Sequence, residues 1–226
     1  MRIICLILLV FSIIGCSVSK KTMIGEEVSG VDSNKKISAE AFLYDAKYYD
    51  NNKPRSFRLQ IFRTDSIIAF TGNGYLGKGV LRGTLTSDSL KAYFPTEDEY
   101  YYRDVDLIFK QSECNISDDD FDLSALFDFY KIMKLNNAIY EISETDNNRK
   151  KIVINPKKCS WDIEIEYKNY DSDLRPYLFS YTNKDNRKIS AKLRKFKKSA
   201  NVKLNLFKMP VLEKVSEVNA LDGLVN

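Results

Sequence analysis

Apolar and polar residues alternate along most of this chain. In "SFRLQIF" (56–62) Phe57, Leu59 and Ile61 share one face, with Arg58 and Gln60 on the other, which is the period of a half-buried strand. The same alternation predicts strands over "ISAEAFLYDAKYY" (37–49), "SIIAFTG" (66–72), "VLRGTLT" (80–86), "SLKAYF" (89–94) and "YYYRDV" (100–105). Short connections rich in turn residues, "RTD", "TSD" and "PTEDE", join them, so the first half is an antiparallel meander. The period then changes. In "DDDFDLSALFDFYKIMKL", Leu123, Leu126, Phe127, Tyr130 and Met133 recur at helical spacing, with acids at the start and Lys131 and Lys134 at the end, as the helix dipole favours. Phe129 and Ile132 make the other side apolar, so the helix should be covered on more than one side. Strands resume at 139–143, 150–156, 161–170, 178–183, 188–196 and 202–210, and "LEKVSEV" in the tail fits either a short helix or a loose segment. Strands, one helical insert, then strands again predict an α+β fold built on a single large antiparallel sheet.

The ends depart from this pattern. "MRIICLILLVFSIIGC" opens with a positive charge at Arg2, runs apolar from Ile3 to Ile14, and places Gly15 before Cys16. That run is too short to span a bilayer, which takes about 20 residues, and it suits a secretory signal. Ile13-Ile14-Gly15-Cys16 resembles the lipobox of bacterial lipoproteins, where lipid is attached to the cysteine thiol and cleavage falls just before it. The expected organisation is a signal peptide over 1–15, a polar tether over 16–35 beginning at lipidated Cys16, a domain over 36–212 and a tail over 213–226. An exported chain meets an oxidising compartment, so Cys114 and Cys159 are either a disulfide or two buried thiols.

Composition matters chiefly through an absence: 226 residues contain no histidine. That removes the Ser-His-Asp triad, the Cys-His pair and histidine-ligated zinc. No carboxylate, lysine or thiol constellation replaces them, so the expectation is a protein that is not an enzyme and carries no metal or cofactor. A formal net charge of +4 is too small to suggest nucleic acid. "GNGYLGKG" (72–79) holds four of the nine glycines and matches G-x-G-x-x-G. A dinucleotide loop of that form must open into a helix, whereas this one runs into the β-rich "VLRGTLT". A turn is expected there, and no nucleotide.

The stretch "RLQIFRTDSIIAFTGNGYLGKGVLRGTLTSDSLKAYFPTEDEYYY", the following "DLSALFDFYKIMKL" and the later "DLRPYLFSYTNKDNRKISAKLRKFKKSANVKLNLFKMP" together resemble the LolA/LolB-like lipoprotein-carrier superfamily, over residues 36–212. The resemblance is one of pattern, with no individually diagnostic position. It implies a large curved antiparallel sheet, an unclosed β-barrel, with a helical lid inserted between two sets of strands and an apolar pocket for acyl chains. It also implies an apolar residue protruding from the glycine loop, and Tyr75-Leu76 fits that position best. A plain hairpin, with both side chains packed on the sheet, is the alternative. Leu123, Phe127 and Tyr130 of the lid are expected to face Leu59 and Ile61 across the pocket. The partners implied are a membrane, reached through the lipid anchor, and acyl chains or lipoproteins; the location implied is the bacterial envelope, on the outer membrane facing the periplasm. The competing reading is a structural or partner-binding lipoprotein whose barrel is filled by its own side chains.

Three further clusters admit bland explanations. From Lys184 to Lys203 nine Lys or Arg residues face one acid, Asp185. Lys188, Ser190, Lys192 and Arg194 alternate with Ile189, Ala191 and Leu193, giving a basic face that is either solvated or turned to anionic head groups. The acids at 118–122 lack the spacing of a calcium loop and suit a solvated helix start. Tyr100, Tyr101 and Tyr102 divide between the two faces of a strand, with core packing as the default.

Overall fold

The computed structural model describes residues 17–20, 35–50, 53–96, 99–104, 123–134, 140–146, 149–154, 161–170, 172–183, 188–209 and 216–219. Its strands are β1 (Ser17–Lys20), β2 (Lys36–Asp50), β3 (Lys53–Arg63), β4 (Ile68–Asn73), β5 (Gly79–Leu85), β6 (Ser89–Phe94), β7 (Glu99–Asp104), β8 (Tyr140–Asp146), β9 (Arg149–Ile154), β10 (Trp161–Tyr170), β11 (Asp173–Asn183), β12 (Lys188–Lys203) and β13 (Ser216–Asn219). They form one sheet in the order β1-β13-β7-β6-β5-β4-β3-β2-β12-β11-β10-β9-β8. The large antiparallel sheet expected from the alternation is present. Its one described parallel pairing joins β13 to β7. Ser17–Lys20 and Ser216–Asn219, expected in the tether and the tail, pair with each other as antiparallel strands. Cys16, Cys114, Cys159 and the acids at 118–122 lie outside the described residues.

The chain divides into two compact units. The first takes in Tyr44–Phe57 and Asp106–Arg194, the second Ile13–Leu43, Arg58–Val105 and Lys195–Asn226. In the first unit, matched registers line up rows of apolar side chains. Tyr140, Ile154, Ile163, Tyr181 and Ile189 are successive partners across five strands, and Ile142, Ile152, Ile165, Phe179 and Ala191 form the next row. Ile152, Ile163, Ile165 and Tyr167 are fully buried. Period-2 alternation on every strand turns these residues to one face, leaving Glu164, Glu166 and Lys168 on the other.

The helical insert differs from the expected continuous helix. A 3-10 turn, Leu123–Phe127, is followed by a short α-helix, Phe129–Ile132. Asp128 separates them in extended conformation, its carboxylate accepting hydrogen bonds from the N–H groups of Tyr130 and Lys131. Aspartate favours this cap over a helix interior because its short side chain satisfies the orphan backbone donors. The break resets the inward face. Ala125, Leu126, Phe129 and Ile132 are buried, whereas Tyr130 is 61% exposed. Phe129 meets the Tyr167 ring edge-on at 5.4 Å, and the Tyr167 hydroxyl donates to the Leu126 carbonyl at 2.9 Å. The insert therefore packs directly on β10.

In the second unit the row Ile61, Phe70, Gly83, Ala92, Tyr101 crosses β3 to β7. Leu59, Leu81, Leu85, Leu90 and Phe94 add to its burial. Ala69 faces the other way and joins Ala39, Val202 and Phe207 in a separate cluster. Phe207 reaches it from a 3-10 turn, Leu204–Phe207, where a further strand was expected. Arg82 holds that turn by donating to the carbonyls of Asn205 (2.6 Å) and Lys208 (2.8 Å).

Candidate functional site

The loop between β4 and β5 is closed by its own backbone. Gly74 N–H donates to the Lys78 carbonyl at 2.8 Å, and Gly77 N–H to the Gly74 carbonyl at 3.2 Å. These two amides are consumed inside the loop, and the chain leaves as strand β5, so the arrangement is unlike a phosphate cradle, which needs outward amides and a helix start. A single 3-10 turn, Tyr75–Gly77, carries the chain over the top.

At that top Leu76 is 89% exposed, the largest exposure among the described large apolar side chains. Its backbone is left-handed, with φ 59° and ψ 21°, as is that of Gly77 at φ 74°. Left-handed backbone suits glycine or asparagine, and for a leucine costs roughly 1–2 kcal/mol. Neither packing nor backbone preference therefore accounts for leucine here. A strained, exposed apolar residue of this kind motivates a functional hypothesis. The Tyr75 side chain lies outside the described part of the structure.

The other candidate residues are distributed as follows. Leu59 and Ile61 are buried in the second unit. Leu123, Phe127 and Tyr130 belong to the first; Phe127 is half-buried, and Tyr130 does not share the buried face, for the reason given by Asp128. On β12, Ile189, Ala191 and Leu193 are buried while Lys188, Lys192 and Arg194 are exposed. Tyr101 is buried. Tyr102, on the opposite face, donates to Asp104 at 2.8 Å, and that hydrogen bond is the main reason its pKa is raised; burial does the same for Tyr100. Among the described residues, no three carboxylate or thiol groups come together to hold a metal.

No protein-family model matches the chain, and no curated protein matches it. Among solved structures, an uncharacterized conserved protein of Thermus thermophilus aligns at 9% identity and TM-score 0.44, covering 79% of this chain and 90% of that one. A domain assigned to outer membrane lipoprotein sorting, from Vibrio parahaemolyticus, aligns at 10% identity and TM-score 0.41, covering 75% and 89%. A DUF1329 family protein of Desulfovibrio piger aligns at 8% identity and TM-score 0.45, also covering 75% and 89%. Likenesses this loose carry no functional argument.

Proposed function

We propose that this chain is a lipoprotein of the bacterial envelope, anchored through Cys16, that contacts lipid or lipoprotein acyl chains through the loop 74–78. The observation that carries the reading is Leu76, held in solvent on left-handed backbone. An acyl chain would cover it and recover the hydrophobic free energy that solvent exposure forfeits, up to roughly 1.5–3 kcal/mol for a leucine. Lipidation at the lipobox-like Ile13-Ile14-Gly15-Cys16 would bring such a loop near a membrane, and the resemblance to lipoprotein carriers supplies the ligand class. Sorting of lipoproteins to the outer membrane is the finer role this suggests. The protein acts as a binding module without cofactor or nucleotide, and catalysis has no part in the proposal.

A second reading, a partner-binding lipoprotein with a filled interior, is favoured by the first unit. There Tyr167, Phe129 and the isoleucine rows pack against one another. Acyl contact at the loop is compatible with that packing. Leu76→Glu separates the two. The exposed substitution should change unfolding free energy by less than about 0.5 kcal/mol and should abolish transfer of an acylated lipoprotein to acceptor membranes. Intact stability with intact transfer would remove the loop from the mechanism and leave the second reading.

A further inference from the structure

The outward face of the first unit carries a cluster of cations around one tyrosine ring. Between Glu166 and Tyr167 the register of β10 with β11 slips: Glu166 pairs with Leu178 and Tyr167 with Pro176, leaving Tyr177 as the extra residue of a β-bulge. Bulges re-aim side chains, and this one sets the Tyr177 ring among three cations. Arg149 lies 5.5 Å from the ring centroid, Lys168 5.6 Å and Lys192 5.6 Å. These come from β9, β10 and β12, so the cluster is assembled by the sheet and not by a run of basic sequence.

Packing does not explain it. Arg149, Lys168 and Arg175 are direct cross-strand neighbours, Lys168 pairing with both, and like charges placed opposite one another destabilise a sheet. Arg149 is ion-paired to Glu166 at 2.9 Å, and Arg175 to Asp173 at 3.3 Å. Among the described residues Lys168 and Lys192 have no acidic partner. Ion pairs do form elsewhere on this face, as in Lys151–Glu164 at 3.4 Å and Arg194–Asp45 at 3.7 Å. At the bulge positive charge is in surplus. Tyr170 stands beside it: burial, then Tyr177, push its phenol up, and Arg149 pulls it down. Leu178, next to Tyr177, is among the exposed large apolar residues.

From this convergence we infer that Tyr177, Lys168, Lys192 and Arg149 form a binding site for a phosphate-bearing anion. The two lysine ammonium groups supply the charge, Arg149 a guanidinium oriented by Glu166, and the tyrosine an apolar ring with a polar tip, suited to a wet, anionic surface. A phospholipid head group and a soluble phosphate share this chemistry. The site is independent of Leu76, which belongs to the other unit.

Phosphorus NMR on the full chain in dodecyl maltoside tests it, with inorganic phosphate, phosphatidylglycerol or phosphatidylcholine added as the probe. Broadening of phosphatidylglycerol but not phosphatidylcholine assigns the site to a lipid head group; broadening of inorganic phosphate assigns it to a soluble anion. Lys168→Gln/Lys192→Gln should weaken the responding probe by roughly tenfold or more, and Tyr177→Leu by severalfold. Lys195→Gln/Lys197→Gln, which removes the same charge from exposed positions further along β12, should leave binding within about twofold. Should the double variant lose its near-ultraviolet dichroism, Lys192→Gln alone should still weaken binding about fivefold. Equal broadening of phosphatidylcholine, no response from any probe, equal loss in the 195/197 control, or a Tyr177→Leu variant that binds normally would each overturn the assignment.

Discussion

At the scale of single residues, two positions, one within β5 and one in the loop that precedes it, follow opposite logic. Gly83 lies between Phe70 and Ala92 in the cross-strand row, and an added Cβ would collide with the Phe70 ring and the Lys91 carbonyl. The ring covers the glycine, which is why a residue with low strand propensity sits in a strand interior. Gly83→Ala should therefore cost about 1–3 kcal/mol by overpacking, seen as a lower denaturant midpoint with an unchanged m-value. Leu76 is the reverse case. Leu76→Asn relieves left-handed strain and should raise stability by up to about 1 kcal/mol, yet it should weaken acyl-chain contact. Stability gained while binding is lost marks a residue kept for function; unchanged binding would count against the loop. The glycines around Leu76 permit a sharp excursion, but the sequence leaves a plain hairpin, with the side chain packed on the sheet, equally open. The Tyr177 cluster was not legible: Arg149, Lys168 and Lys192 are far apart in sequence, and a one-residue bulge decides which side chains meet.

At the scale of elements, alternation located most strands to within a few residues, and two departures have identifiable causes, one local and one long-range. The expected single helix is split by Asp128, whose capping bonds outweigh the continuity of the apolar pattern. Beyond the break Tyr130 and Met133 of the expected face are exposed while Phe129 and Ile132 are buried, because a break between two helical pieces shifts which residues turn inward. Phe129→Ala should cost about 3–5 kcal/mol, whereas Tyr130→Ala should stay within about 0.5 kcal/mol; equal costs in thermal unfolding would contradict the assigned face. Tyr167→Phe should cost about 1–3 kcal/mol by leaving the Leu126 carbonyl unpaired in a buried place. The second departure is "LNLF", read as strand from its alternation but folded as a 3-10 turn. Arg82 captures its carbonyls, a long-range bond that no local pattern reveals.

At the scale of the whole molecule, β2, β3 and β12 each pass from one compact unit to the other, at Leu43/Tyr44, Phe57/Arg58 and Arg194/Lys195. With no histidine in the chain, no side chain of ordinary pKa titrates near neutrality. Tyr100 and Tyr170 are raised chiefly by burial, so folding favours their neutral phenols. That contribution is fully present below about pH 10 and is lost as pH rises through the raised values. The urea midpoint should be nearly flat from about pH 6 to pH 9 and should fall above about pH 10. The central claim, that the loop carrying Leu76 meets acyl chains, is tested most directly by photo-crosslinking. Palmitate bearing a diazirine near its methyl end is irradiated with the full chain, and adducts are mapped by peptide mass spectrometry. Adducts concentrated on 74–78, and competed away by unlabelled palmitate, are the predicted result; competed adducts elsewhere with none on 74–78 would contradict the account.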